Sequence, residues 1–343
     1  MRAIVYTQTG DPDVLRMVDR PVPEPGPGEV RVRVHVSGVN PTDWKARSGT
    51  RPGAATAFPE MVPNQDGAGV IDAVGADVEG RAVGQRVWLW DAAYRRADGT
   101  AQEYVVLPRR QVVPLPAGAS FELGASLGIP ALTAHRCLTV ADGGPDRLGP
   151  GRLDGRVVLV AGGAGAVGNA AIQLARWSGA TVVTTVSGPA KATLARAAGA
   201  HHVVNYRTDA ATAAILRAAP GGVDIVVEVA PAVNAGLDAA VVAPHATVAV
   251  YATDGGEDMI LSVGPRFPRN VRYQFVLTYT VPDAPKQRAV EDISAAVAAG
   301  ALNVGEAAGL PLHTYRLDDT AAAHAAVEAA AVGKVLIHVA PTI

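Results

Sequence analysis

VVLVAGGAGAVGNAAIQLA, residues 157–175, decides the fold. It opens with RVVLVA (156–161), a continuous apolar run of the kind buried on both faces of a parallel sheet. A helix follows without a linker. Val167, Ala170, Ala171, Leu174 and Trp177 make an apolar stripe, Asn169, Gln173 and Arg176 lie opposite, and Gly179 supplies the stop. Between strand and helix, Gly163, Gly165 and Gly168 stand in G-x-G-x-x-G spacing. In that setting the first glycine is expected to make the tight turn, the second to let a pyrophosphate approach the backbone, and the third to let helix and strand pack closely. Gly163, Ala164, Gly165, Ala166, Val167 and Gly168 then form a phosphate cradle at a helix N-terminus, where unpaired N–H groups and the dipole favour negative charge.

Downstream the rhythm continues. TVVTTV is a strand, Pro189 opens and Gly199 closes a helix, HVVNY is a strand, residues 209–219 are helical, and VDIVVEV and TVAVYA are strands. Strand and helix alternating at this interval predict a doubly wound parallel sheet, the Rossmann arrangement. Upstream, Val30, Val32, Val34 and Val36 alternate with Arg31, Arg33 and His35, the period of a strand buried on one face. GVIDAV (69–74), RVWLW (86–90) and EYVVL (103–107) follow between turn residues, so this half reads as mainly β. The Gly/Pro-rich DGGPDRLGPG (142–151) reads as an exposed loop. The tail holds helices at 285–299 and 319–331 and a last strand, KVLIHV, and is expected to fold back onto the N-terminal half.

Composition narrows the function. At 343 residues the chain should form about two domains. With 49% hydrophobic residues and a formal net charge of −2, it has neither the polybasic face of a nucleic-acid binder nor the bias of a disordered tail, which leaves a small molecule as the partner. Cys137 is the only cysteine, which rules out an internal disulfide and fits a reducing cytoplasm. No run of about 18 uncharged apolar residues and no signal peptide is visible, so a cytoplasmic, membrane-free protein is expected.

The cofactor is read from an omission. NAD binders place an Asp or Glu about 20 residues past the glycines for the ribose 2′-hydroxyl. Between Asp154 and Asp209 there is no acidic residue, and Ser187, Gly188 and Lys191 stand in its place. Lys191 taken alone reads better as a solvated helix lysine, but with the carboxylate missing, a hydroxyl and a cation that suit a 2′-phosphate point to NADPH. GASLG (124–128) has the G-x-S-x-G spacing of a hydrolase elbow, but no strand precedes it and a helix start is the simpler reading. His201 and His202 lack a third ligand nearby, so a metal site there is not expected.

The motifs GVNPTDWKARSG (38–49), NQDGAGVIDAVG (64–75), GIPALTAHRCL (128–138), AGGAGAVGNAAIQLA (161–175) and GAHHVVNY (199–206) occur in this order. On them the chain resembles a medium-chain dehydrogenase/reductase of the zeta-crystallin-like quinone oxidoreductase branch, over nearly its whole length. The resemblance implies a GroES-like, partly open barrel forming a discontinuous catalytic domain of residues 1–126 and 279–343, a Rossmann domain of 127–278 inserted in it, and a homodimer through the Rossmann sheet. It also implies that Asn40, Lys45 and Thr133 surround the nicotinamide or substrate and that Ser187, Lys191 and Tyr206 surround the adenosine phosphate and ribose. Val250, Tyr251, Ala252 and Thr253, with Val276, Leu277 and Thr278, would run along the cofactor, and Lys334 would approach its nicotinamide end. Lys45 departs from the tyrosine that such reductases often carry.

Zinc-dependent relatives have Cys where this chain has Asn40 and His where it has Gln65, and neither carboxamide is a good zinc ligand. Without a Lewis acid, alkoxide chemistry loses its stabiliser, whereas reduction of an electrophilic acceptor does not need one. The sequence therefore predicts NADPH-dependent hydride transfer to a quinone or conjugated enone, without metal. An enoyl or enone reductase of the same fold is the alternative, and a noncatalytic NADPH-binding protein a third. Asn40 reads as a donor to the acceptor oxygen or as a turn residue before Pro41, Lys45 as a source of positive field or an exposed side chain, and Thr133 as a site residue or a helix cap.

Overall fold

The computed structural model describes residues 1–49 and 56–339. Along the chain run β1 (Arg2–Val5), β2 (Arg16–Asp19), β3 (Glu29–Val39), α1 (Pro41–Ser48), β4 (Asp66–Val74), β5 (Arg86–Leu89), β6 (Tyr104–Pro108), β7 (Val112–Pro114), α2 (Phe121–Gly124) and α3 (Gly128–Leu138). Next come β8 (Val157–Ala161), α4 (Ala166–Trp177), β9 (Thr181–Val186), α5 (Pro189–Ala197), β10 (His202–Asn205), α6 (Ala211–Ala218), β11 (Val223–Glu228), α7 (Pro231–Val241), β12 (Val242–Val250), β13 (Arg272–Phe275) and α8 (Asp283–Ala298). The chain closes with β14 (Leu312–Arg316), α9 (Thr320–Glu328) and β15 (Lys334–His338).

Two compact units form. The first joins residues up to Ile129 with those from Leu312 on. Its main sheet has the order β14-β15-β3-β4-β5-β7, with β6 also on β3, and all pairings but β14–β15 are antiparallel. Val30, Val32, Val34 and Val36 all face the core, as the alternation predicts. From Ser37 to Val39 every residue of β3 is buried, so the strand carries its last residues, and Asn40 after them, into the interior.

The second unit, Pro130–Pro311, holds a six-stranded parallel sheet in the order β10-β9-β8-β11-β12-β13. The order reverses between β8 and β11, the switch point at which such sheets bind ligands beyond their carboxyl ends. The chain leaves this unit at Pro311 and not near 279. Two sets of hydrogen bonds, one buried and one partly buried, hold the intervening stretch. Asp292 on α8 accepts from His135 Nε2 on α3 at 2.8 Å and from the main-chain N–H of Leu148 at 2.7 Å. On α4, Asn169 Nδ2 donates to Ala308 O at 2.7 Å and Gln173 Nε2 to Asn303 O at 3.0 Å. Asn169 and Gln173, expected on the polar face of their helix, are thus buried beneath residues 303–308. Among the described residues no helix is long and apolar enough to cross a membrane.

Candidate functional site

Beyond the end of β8, the tight turn belongs to Gly162, whose φ of +69° is the left-handed conformation; this corrects the assignment of that role to Gly163. Gly163 is instead a packing residue, since a Cβ on it would lie 2.1 Å from Thr184 Oγ1 on β9. A Cβ on Gly168 would lie 2.4 Å from Gly162 O, so the third glycine does let helix and turn close up. At Gly165, the exposed N-cap of α4, the nearest atom to such a Cβ is Gly162 O at 3.4 Å. Protein leaves that side open. An open glycine at the start of a 12-residue helix with no acid in its first turn fits a bound pyrophosphate. Ala164 is buried, and Ala166 and Val167 are half-buried.

The next two strands bring the adenosine-end candidates together. Ser187 follows β9, Gly188 caps α5, and the half-buried Lys191 lies in the first turn of that helix. Tyr206 follows β10, half exposed, and its N–H donates to Val186 O at 3.1 Å, which sets it beside the end of β9. The first carboxylate downstream, Asp209, is engaged locally, accepting the Asn205 N–H at 2.8 Å. At the same end of the sheet, Val276 N–H donates to Val250 O at 2.7 Å, joining the stretches 250–253 and 276–278. Thr133 on α3 meets them, its hydroxyl 2.7 Å from that of Thr278, with both side chains buried.

Glu228, which ends β11 beside the switch point, is fully buried and was not singled out from sequence. Its Oε1 accepts the Ala230 N–H and, at 3.0 Å, Asn234 Nδ2. Asp238 of α7 lies against it, and burial together with the Glu228 charge pushes the Asp238 carboxyl up to about 8. Cys137 is buried, and burial pushes its thiol up to about 12, the opposite of an activated nucleophile. Ser126 lies in the turn between α2 and α3, where its Oγ donates back to Glu122 O at 2.7 Å, and no strand leads into it as a hydrolase elbow requires.

In the first unit, Asn40 is 2% exposed and sits in a cluster of charges. Its Oδ1 accepts from Lys334 Nζ at 2.6 Å, its Nδ2 donates to Asp66 Oδ2 at 2.7 Å, and its main-chain N–H donates to Asp43 Oδ2 at 2.7 Å. Asp66 also accepts the Ile129 N–H at the start of α3. Burial pushes Asp43 up to about 7 and Asp66 up to about 6, the charge of Asp66 adding to the Asp43 shift while Lys334 opposes both. Burial pulls Lys334 down. Lys334, expected along the cofactor, is thus 2% exposed and bonded to Asn40. Lys45 is half-buried, with Nζ 5.8 Å from the centroid of the Trp44 ring. Gln65 accepts the Ala93 N–H through Oε1 at 3.0 Å. Asp43 and Asp66 escaped the sequence reading, though an acid three residues after a helix-starting Asn is a known N-terminal signal.

The family model of the alcohol dehydrogenase GroES-like domain matches residues 26–117, and that of the zinc-binding dehydrogenase matches residues 166–297. A quinone oxidoreductase of Lama guanicoe is 32% identical over 259 residues, 74% of this chain and 74% of its own. Among solved structures, an NAD-dependent alcohol dehydrogenase superposes with a TM-score of 0.85 at 30% identity, covering 99% of this chain and 100% of the other. A mycobacterial protein complexed with NADPH gives a TM-score of 0.81 at 29% identity, with 99% and 100% covered. The GroES-like unit and the glycine turn on a parallel sheet define a dehydrogenase/reductase. More narrowly, the chain belongs to the zinc-free, zeta-crystallin-like branch of the medium-chain dehydrogenase/reductase family, and it is an oxidoreductase.

Proposed function

We propose that the chain is an NADPH-dependent reductase of quinones and related conjugated carbonyls. The observation that carries the cofactor reading is the end of β9, where Ser187, Gly188 and Lys191 occupy the place of a ribose-binding acid and Tyr206 is bonded alongside. The mycobacterial relative complexed with NADPH supports it. When bound, NADPH supplies a hydride. On this reading the 163–168 backbone holds the pyrophosphate, and Ser187, Lys191 and Tyr206 hold the adenosine end. Residues 250–253 and 276–278 line the remainder. Asn40, Lys45 and Thr133 serve the acceptor, Asn40 as an N–H donor and Lys45 as a positive field.

Two observations favour a quinone. The Lama guanicoe relative is a quinone oxidoreductase. Asn40 and Gln65 offer carboxamides where zinc-dependent relatives offer Cys and His, and an electrophilic acceptor needs no metal to polarise it. We further propose a homodimer formed along the outer edge of β13.

The test is NADPH and NADH oxidation with ortho- and para-quinones, enones, enoyl thioesters and aldehydes, in wild type and Lys191→Ala. Quinones with NADPH should turn over best, and a chelator should leave the rate unchanged. A charge-assisted hydrogen bond is worth about 1.5 to 3 kcal/mol, so Lys191→Ala should weaken NADPH about tenfold to a hundredfold and leave NADH alone. Preference for NADH overturns the cofactor assignment. Aldehyde or alcohol turnover with negligible quinone turnover overturns the acceptor, and fastest reduction of enoyl thioesters transfers it to the alternative class.

A further inference from the structure

Burying a lysine is costly unless its ammonium is paired and hydrogen-bonded, so a lysine at 2% exposure calls for a reason. Lys334 opens β15, and its Nζ donates to Asn40 Oδ1 at 2.6 Å and to Val39 O at 3.2 Å, with Asp66 Oδ2 at 3.7 Å. Gly38 of β3 runs close beside it: a Cβ there would lie 3.2 Å from both Cε and Nζ of Lys334, as well as 2.1 Å from Ala125 O.

A carboxamide has an accepting end and a donating end of nearly the same shape, and only its partners decide which way it faces. An ammonium can only donate, and an ionised carboxylate can only accept. Lys334 on one side and Asp66 on the other therefore leave Asn40 one orientation. In that orientation Nδ2 gives one hydrogen to Asp66 and carries a second. A donor suits an acceptor oxygen that gains negative charge, whereas the reversed amide would present its own oxygen to that charge.

We propose that Lys334 is a positioning residue that, with Asp66, fixes the Asn40 carboxamide as a hydrogen-bond donor and acts on the acceptor only through it. This rests on the reading of Asn40 as an acceptor-binding residue given above.

The test compares Asn40→Ala, Lys334→Met and the double variant, with NADPH Kd from fluorescence titration and kcat with 1,4-benzoquinone. Each single change should lower kcat about tenfold or more and leave NADPH Kd within about twofold. The double variant should be no worse than the poorer single, because both remove one interaction. Lys334→Arg, which keeps a cation and donors, should recover most of the turnover. Lys334→Met strands two buried carboxylates, so it is also made with Asp43→Asn, which restores the net charge. That pair should regain melting temperature and not kcat. Recovery of kcat along with stability would reduce Lys334 to a charge balance and overturn the proposal. So would a tenfold weaker NADPH Kd at unchanged kcat, the mark of direct cofactor contact. Normal kcat in Lys334→Met with a damaged Asn40→Ala overturns the proposal alone, while normal kcat in Asn40→Ala overturns the reading beneath it as well.

Discussion

Gly165 and Gly168 stand three residues apart, but an added methyl group means a different thing at each. At Gly168 it would press on the main chain of Gly162 from 2.4 Å, and backbone cannot swing aside as a side chain does. Overpacking of this kind costs about 1 to 3 kcal/mol. At Gly165 the backbone, at φ −82° and ψ 164°, accepts alanine, and the nearest protein atom is at 3.4 Å. Gly168→Ala should therefore lower the melting temperature of the ligand-free protein by several degrees. Gly165→Ala should leave it within about 2 °C and weaken NADPH about tenfold, the methyl group occupying the side left open for phosphate. Thermal melts and NADPH titrations of both variants check this, and a Gly165→Ala protein that binds NADPH normally would remove the cradle from the site. The glycine spacing was legible in sequence because it is local. The division of labour was not, since whether Gly162 or Gly163 turns depends on Thr184 one strand away.

At the scale of elements, β11 and α7 are joined by two buried carboxyls, Glu228 and Asp238. Burial and the Glu228 charge hold Asp238 near 8 in the folded protein, against an ordinary value of 3.8. Between those limits the folded chain binds the extra proton, so this group's contribution to stability is full below about pH 4 and is lost as pH rises through 8. The slope per proton is at most about 1.4 kcal/mol for each pH unit. Asp238→Asn removes the titration. Its unfolding free energy should fall less steeply than that of the wild type from pH 5 to 8, so the variant gains on the wild type as pH rises; parallel curves would show that Asp238 is ionised in the fold. Neither carboxyl was conspicuous in the sequence, because VDIVVEV looks like any buried strand and the pairing depends on how α7 docks. The same limit applies to β12. TVAVYA was legible as a strand, but Val242 pairs with Val223 and Thr247 with Ile225, so three extra residues bulge from β12 and His245 adopts φ +63°. Periodicity carries no trace of such a bulge.

For the whole molecule, sequence rhythm identified both sheets, because one-face burial imposes alternation on β3 and two-face burial imposes apolar runs on β8, β9 and β11. It misplaced the return of the chain, since the bonds that keep residues 279–311 in the second unit are made by Asn169, Gln173 and His135, polar residues whose partners lie 130 or more positions away. The same unit leaves β13 at the edge of its sheet, paired on one side to β12. An open edge is a template for another strand unless charge or a covering element blunts it. Phe275 at the end of β13 is 66% exposed and Phe267, in the turn that precedes the strand, 74%, while the residues of the sheet interior are buried. A two-fold pairing of β13 with its copy would cover the backbone edge and both sets of side chains at once, because a symmetric interface presents each patch twice. Burying one such phenylalanine contributes about 1.5 to 3 kcal/mol, and a carboxylate in its place reverses the sign. Light scattering at about 10 µM should give twice the chain mass of 35.1 kDa for the wild type and a single chain mass for Phe267→Asp/Phe275→Asp. Far-UV circular dichroism should remain unchanged in the variant, since both rings lie outside the core. A wild type of single mass, or a variant that stays a dimer, would remove β13 as the interface.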